Sequence, residues 1–210
     1  MNFLRCSVKH WTVDKIVVAS GNAGKLAEIR DVLADTDFEL VAQSELGIAD
    51  ADETASTFVE NALIKARHAA RLSGLAALGD DSGLCVDALG GAPGLLSARY
   101  AGVHGDSAAN IARLLDALRD VSENRRGAYF HCAIVLLRTA DDPAPLIAEG
   151  RWYGRILHAP RGNKGFGYDP VFLDLRHDAS AAELDSAVKN HVSHRGQALA
   201  RLRELLRTAA

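Results

Sequence analysis

Apolar and polar positions recur along this chain with two periods, and the places where the period changes mark its elements. Ile16 to Ala19 is a short β-branched run, read as a strand, that stops at Ser20-Gly21-Asn22-Ala23-Gly24-Lys25. Leu26, Ile29, Val32 and Leu33 then return at helical spacing, so the order is strand, glycine loop, helix. Phe38 to Val41 reads as a second strand. Thr57 to Leu72 reads as a long helix with Phe58, Ala62, Ala66 and Ala69 on one face, ended by Ser73-Gly74. A third strand, Leu75 to Leu78, leads into Gly79-Asp80-Asp81-Ser82-Gly83, and Leu84 to Leu89 is expected to form another, closed by the turn Gly90-Gly91-Ala92-Pro93-Gly94. Ser107 is the expected N-cap of a helix carrying Ile111, Leu114, Leu115 and Leu118. Ala128 to Arg138 and Leu146 to Leu157 predict two long strands joined at Asp141-Asp142-Pro143. Ser180 to Glu183 fits a capping box, and Leu199, Leu202, Leu205 and Leu206 mark a final amphipathic helix from near Ser193. The order implies an α/β protein with a mixed sheet, more antiparallel in its second half, in two lobes around a cleft.

Composition narrows the classes this pattern allows. The 210 residues fit one large domain or two lobes sharing a core, with hydrophobic and charged fractions of an ordinary globular protein. A formal net charge of -3 argues against a general nucleic-acid binder, so a phosphate ligand must meet local positive charge. Cys6, Cys85 and Cys132 are odd in number, far apart and without a CxxC pair, which speaks against a disulfide framework or zinc site and for a reducing cytoplasm. Residues 1–14 carry Arg5, Lys9 and His10 without a continuous apolar run. They are expected to be a loosely held extension rather than a secretory signal, followed by a single domain over 15–210, and no later stretch could span a bilayer.

Four segments carry candidate chemistry. In Ser20 to Lys25, two glycines permit close backbone approach, the following helix offers unpaired N–H groups to an anion, and Lys25 adds positive charge. This is not a Walker A loop, because Leu26 stands where a Mg²⁺-binding Ser or Thr is required, and alone it reads more readily as an ordinary strand-to-helix turn. Asp80-Asp81-Ser82-Gly83 places paired carboxylates at an expected strand end, an arrangement that a divalent cation such as Mg²⁺ relieves; alone it reads equally as a solvated turn. Asp50, Asp52, Glu53 and Glu60 are further carboxylates that position alone does not separate. Gly165-Phe166-Gly167-Tyr168-Asp169-Pro170 offers aromatics on a glycine loop, able to stack on a planar base or to pack into the core. Lys189 with Ser193-His194-Arg195-Gly196 puts basic or donor side chains at the start of the last helix, where a bound anion would explain them.

Together these supply phosphate contacts, a metal site, a stacking surface and positive charge, the inventory of a nucleotide-processing enzyme. The segments SGNAGK (20–25), TFVENALIKA (57–66), GDDSGL (79–84), LGGAPGLLSARYAG (89–102), GFGYDP (165–170) and SHRGQAL (193–199) closely resemble the Ham1/RdgB family of inosine-triphosphate pyrophosphatases, in order and over nearly the whole chain. The resemblance implies an elongated mixed sheet with the active cleft between two lobes. It also implies Mg²⁺-dependent hydrolysis of ITP, dITP and XTP to the monophosphate and pyrophosphate, and a homodimer that engages neither nucleic acid nor membrane. By that resemblance Ser20, Gly21, Asn22, Ala23, Gly24 and Lys25 hold the triphosphate. Asp81 is the catalytic carboxylate and a metal ligand, with Glu53 the second ligand. Ser82, Phe166, Gly167, Tyr168, Asp169, Lys189, His194 and Arg195 contact the nucleotide. The chain departs from the family at its extension before Lys15, at Asn163-Lys164 and at Val188, none of them a carried-over position. A pyrophosphatase for other nucleotides and a nucleotide sensor without hydrolysis are the competing readings.

Overall fold

A computed structural model describes residues 14–208, so the expectation of a loosely held extension over 1–14 lies, apart from Asp14, outside the described residues. The strands are β1 (Lys15–Ala19), β2 (Glu39–Ala42), β3 (Ala76–Val86), β4 (Gly127–Leu137), β5 (Leu146–Ile156), β6 (Phe172–Asp174) and β7 (Ala179–Ser180). They form one sheet in the order β2-β1-β3-β4-β5-β6-β7. The first three strands run parallel and every later pairing is antiparallel, as the sequence pattern implied. Parallel neighbours need long crossovers, and here these contain helices α1 (Ala23–Val32) and α2 (Phe58–Ser73). The remaining helices are α3 (Ser107–Ala117), α4 (Ser186–Val192) and α5 (His194–Thr208).

Three apolar clusters fill the interior. On one face, Ile29 and Leu33 of the α1 segment and Ala198, Leu199 and Leu202 of α5 pack on Ile16, Val18, Leu78, Ile134 and Leu136. On the opposite face, the alanine stripe Ala62, Ala66, Ala69 and Ala70 of α2 packs on Val17, Ala77, Ala133 and Val135. The third cluster gathers Leu84, Val86, Phe130, Trp152 and Phe172 with Leu114 and Leu118 of the α3 segment. Strands β3, β4 and β5, each of 11 residues, run through both ends of this arrangement, and Asp80 to Gly83 lie at the waist between the cores.

The structure corrects several local expectations. The two short strands foreseen on either side of Gly79 to Gly83 are one continuous strand, because β4 pairs with it without a break from Ala77↔Leu137 to Val86↔Ala128. The glycine loop is shorter than expected: α1 begins at Ala23, capped by Asn22, whose side-chain oxygen accepts the Lys25 N–H at 3.1 Å. The N-cap of α3 is Asp106, not Ser107; its carboxylate accepts the Ala109 N–H at 3.0 Å. Ser180 to Glu183 starts no helix. Glu183 does accept the Ser180 N–H at 2.7 Å, but Ser180 sits in β7 and its hydroxyl donates to the Arg161 carbonyl. Helix α4, which the sequence pattern did not foresee, follows instead and turns into α5 at Ser193.

Candidate active site

The waist of β3 organises the site. Successive strand residues point to opposite faces, so Asp80 and Asp81 do not share one cation, as a turn at a strand end would allow. Asp80 faces α1 and α5. Arg195 Nε donates to its Oδ2 at 2.7 Å, Lys25 Nζ sits 2.7 Å from Oδ1, and the Cys132 thiol donates to Oδ2 at 3.3 Å. Burial alone would raise this carboxyl, but Arg195 and Lys25 outweigh it and hold Asp80 well below the usual carboxylate range.

Asp81 faces α2. Lys65 Nζ lies 2.9 Å from Asp81 Oδ1 and 2.9 Å from Glu53 Oε1, so one ammonium bridges the two carboxylates, and Arg99 approaches the other Glu53 oxygen at 3.5 Å. The same surroundings act differently on the two acids. Burial pushes Asp81 above its ordinary value despite Lys65 and Lys25. For Glu53 burial is again the first influence, but Lys65, Lys25 and Arg99 overcome it and lower the carboxyl. No group of three or more His, Cys, Asp or Glu converges among the described residues, so a hard cation here would have Glu53 and Asp81 as its protein ligands. That donor set suits Mg²⁺, which typically takes one or two carboxylates and completes its shell with phosphate and water oxygens.

Lys25 stands in the first turn of α1, where the N–H groups of Ala23 and Gly24 have no partner among the described residues. Ser20 is buried and its hydroxyl accepts the Asn22 N–H at 3.2 Å. Gly21 and Gly24 let neighbouring side chains close in: a Cβ on Gly21 would come 2.7 Å from the Asp50 carboxylate, and one on Gly24 would come 2.6 Å from the Phe166 ring, so in each case that side chain would have to shift.

Phe166 thus leans on the Ser20–Lys25 loop, with Lys189 Nζ 4.9 Å and the Arg195 guanidinium 5.9 Å from its ring centre. Lys189 donates to Asp169 Oδ2 at 2.6 Å and to Glu28 Oε1 at 2.9 Å, while Arg195 also reaches Glu28 and donates to Ser82 Oγ at 2.9 Å. Gly167, at φ +59, lets the chain turn back so that Asp169 accepts the Phe166 N–H at 2.9 Å.

Two expectations change. The Tyr168 ring belongs to the third core, only 4% exposed, with its hydroxyl donating to the Ser97 carbonyl at 3.0 Å, so it offers no open stacking face. Phe166, half-buried at the loop tip, is the aromatic that faces the cleft. His194 is no surface cation: it is buried, stacks on Phe130 at 4.8 Å, and burial with Arg195 nearby holds it far below the ordinary histidine value, hence neutral. The anions that compensate the basic residues at the start of α5 are the protein's own Asp80 and Glu28.

The chain matches the Ham1 family model over residues 16–205. The chain belongs to the Ham1 family. Similar proteins include a dITP/XTP pyrophosphatase of Xanthomonas campestris, 62% identical over 191 residues that cover 91% of this chain and 96% of the relative. One of Vibrio cholerae is 53% identical over 90% of this chain and 94% of its own length. Among solved structures, a HAM1 protein from Coxiella burnetii superposes with a TM-score of 0.85 at 50% identity, covering 92% of this chain and 98% of the other. The mixed seven-stranded sheet is accordingly the Ham1 fold. The Ham1 motifs converge on one cleft, but sequence reading missed Lys65, Glu28 and Cys132 as members of it. A signal existed for Lys65: it lies seven residues after Phe58 and three after Ala62, a lysine inside an otherwise apolar helical stripe. Nothing local marks Glu28, whose partners are 161 and 167 residues away.

Proposed function

We propose that the chain hydrolyses non-standard purine nucleoside triphosphates, ITP, dITP and XTP, to the monophosphate and pyrophosphate, and so clears them from the nucleotide pool. The observation that carries this reading is the carboxylate pair Glu53 and Asp81 bridged by Lys65 beside the Lys25 loop, with Lys189 and Arg195 across the cleft. The names of the relatives above point the same way.

Glu53 and Asp81 would hold Mg²⁺, which when bound supplies charge neutralisation to the phosphates. Lys25 and the amides of Gly21, Ala23 and Gly24 bind the triphosphate oxygens. Asp81 orients the attacking water and accepts its proton while the α–β anhydride breaks in line and pyrophosphate leaves. Lys65 keeps Asp81 and Glu53 aligned and offsets their repulsion. Phe166 moves off Gly24 and stacks on the base, a contact of roughly 1 to 3 kcal/mol. Selection follows from donors. The loop amides, and Arg195 once it releases Ser82 or Glu28, would meet a 6-oxo acceptor in hypoxanthine and xanthine but an amino donor in adenine, and an unsatisfied buried donor costs about 1 to 3 kcal/mol.

Steady-state kcat/KM with Mg²⁺ for ITP, XTP, GTP and ATP, scoring pyrophosphate against orthophosphate, tests the reading. We expect pyrophosphate release with ITP and XTP favoured by orders of magnitude; equal rates on ATP and ITP would leave a general pyrophosphatase. Homodimerisation belongs to the proposal, supported by the open face of β5, where Ile147 and Tyr153 are exposed and Tyr153 lies 5.6 Å from Tyr129. A cytoplasmic site is likewise proposed, from the free, buried Cys85 and Cys132. Among the described residues no helix is long and apolar enough to cross a membrane.

A further inference from the structure

Outside the cleft, α2 presents a second concentration of charge. Arg67, His68 and Arg71 line a cavity of about 390 Å³ whose other wall is the segment carrying Asp50 and Asp52. The two arginines are four residues apart, on one face of the helix, where like charges repel unless something compensates them. Neither makes an ion pair or side-chain hydrogen bond among the described residues, and Arg67 Nε is fully buried without a partner. The two guanidinium groups thus face Asp50 and Asp52 across the cavity without pairing with them, which leaves room for a ligand that bridges the cationic and the carboxylate walls. His68 already contacts the Ala49 carbonyl at 3.1 Å and so fixes the rim. Asp50 is held by Gln43, and Asp52 has no partner among the described residues. The carboxylate wall would repel a bare anion but would accept hydroxyl donors.

We propose that this cavity is a binding site for a phosphorylated sugar or nucleotide, separate from the catalytic cleft. Arg67 and Arg71 take the phosphate, and Asp50 and Asp52 accept from the sugar hydroxyls. A guanidinium pair one helical turn apart matches the span of a phosphate group, and the volume falls in the range of small-ligand sites, about 300 to 1,000 Å³. Position gives the site a consequence. Asp52 adjoins Glu53, and the Asp50 carboxylate lies against Gly21, so an occupant touches the segments that flank the triphosphate cleft.

Calorimetric titration of the full chain with ribose 5-phosphate and with orthophosphate, in chelator, tests this independently of any catalytic reading. We expect ribose 5-phosphate to bind more tightly than orthophosphate. In the double variant Arg67→Gln, Arg71→Gln that binding should weaken at least tenfold, leaving only whatever the cleft takes up. Asp50→Asn with Asp52→Asn should weaken ribose 5-phosphate but not orthophosphate. Because neither arginine has a protein partner and the two repel, the arginine double variant without ligand should melt at or above the temperature of the parent while losing the ligand-induced rise. Binding unchanged in the arginine double variant overturns the site. A clear fall in its melting temperature without ligand also overturns it, since the arginines would then be structural.

Discussion

Asp80 and Asp81 are neighbours in the chain but face opposite sides of the sheet, and their substitutions should fail in different ways. Asp81→Asn removes a charge from the Glu53–Lys65 group and should cost about 10²-fold or more in kcat with the fold retained. Asp80→Asn leaves buried Arg195 and Lys25 without their common carboxylate and should destabilise by about 3 to 5 kcal/mol, the usual result of breaking a buried pair. Urea unfolding and turnover measured on both variants check the contrast; equal stability losses would mean that the two side chains share one environment. The aromatics divide in the same manner. Tyr168→Phe gives up one bond to the Ser97 carbonyl and should lose about 1 kcal/mol of stability without changing KM, whereas Phe166→Ala should raise KM for every purine triphosphate alike. The sequence placed both rings on one glycine loop. It could not say which was core, because that depends on the Ser97 carbonyl 71 residues away.

Helix α2 reaches the sheet closely enough to set Lys65 against Asp81 because its inner stripe is alanine and because β3 has a glycine beneath it. A Cβ on Gly79 would come 2.1 Å from the Ala62 carbonyl oxygen, a backbone atom that cannot give way without moving the helix. Gly79→Ala should therefore push α2 outward, costing about 1 to 3 kcal/mol as overpacking does and lowering kcat through the displaced Lys65. Thermal melts and kinetics measure both effects, and full activity at parental stability would show that the helix does not set the distance. At the turn between β4 and β5, Arg138 bonds Asp142 through Nη2 at 2.6 Å and Nε at 2.8 Å and, with the backbone N–H groups of Arg138 and Ala144, lowers the Asp142 carboxyl despite its burial. A lowered folded-state pKa stabilises above the unfolded value, near 3.8, and that contribution disappears as pH falls through and below it. Asp142→Asn should thus be less stable than the parent at neutral pH, and the difference should shrink on acidification below about pH 4. A difference that stays constant with pH would remove the ion pair from the account.

At the scale of the molecule, three long strands thread both ends of the sheet and no linker separates the cores. We expect residues 15–210 to unfold as one cooperative unit. In a Trp11→Phe background, far-UV circular dichroism and the fluorescence of Trp152, which reports the third core, should give coincident urea transitions. Separate transitions would divide the lobes. The cleft lies where the cores meet, so its charges come from both: Lys25, Glu28 and Asp80 on one side, Asp169 and Lys189 on the other.

Local chemistry alone determined a good part of this protein. β-branched runs, the alanine stripe, glycine stops and the co-linear motifs were enough for the α/β class, most strand and helix limits, and the segments that line the cleft. Their signals lie within a few residues of one another. Only the tertiary structure decided that Gly79 to Gly83 is strand rather than turn, since the ladder that makes it so is formed with residues about fifty positions later. It also decided that Asp80 and Asp81 part company, that Lys65 joins Glu53 to Asp81, and that Glu28 meets Lys189 and Arg195. Each of these depends on a charge finding its partner in a buried place, and burial and long-range pairing are properties of the folded chain, not of any segment.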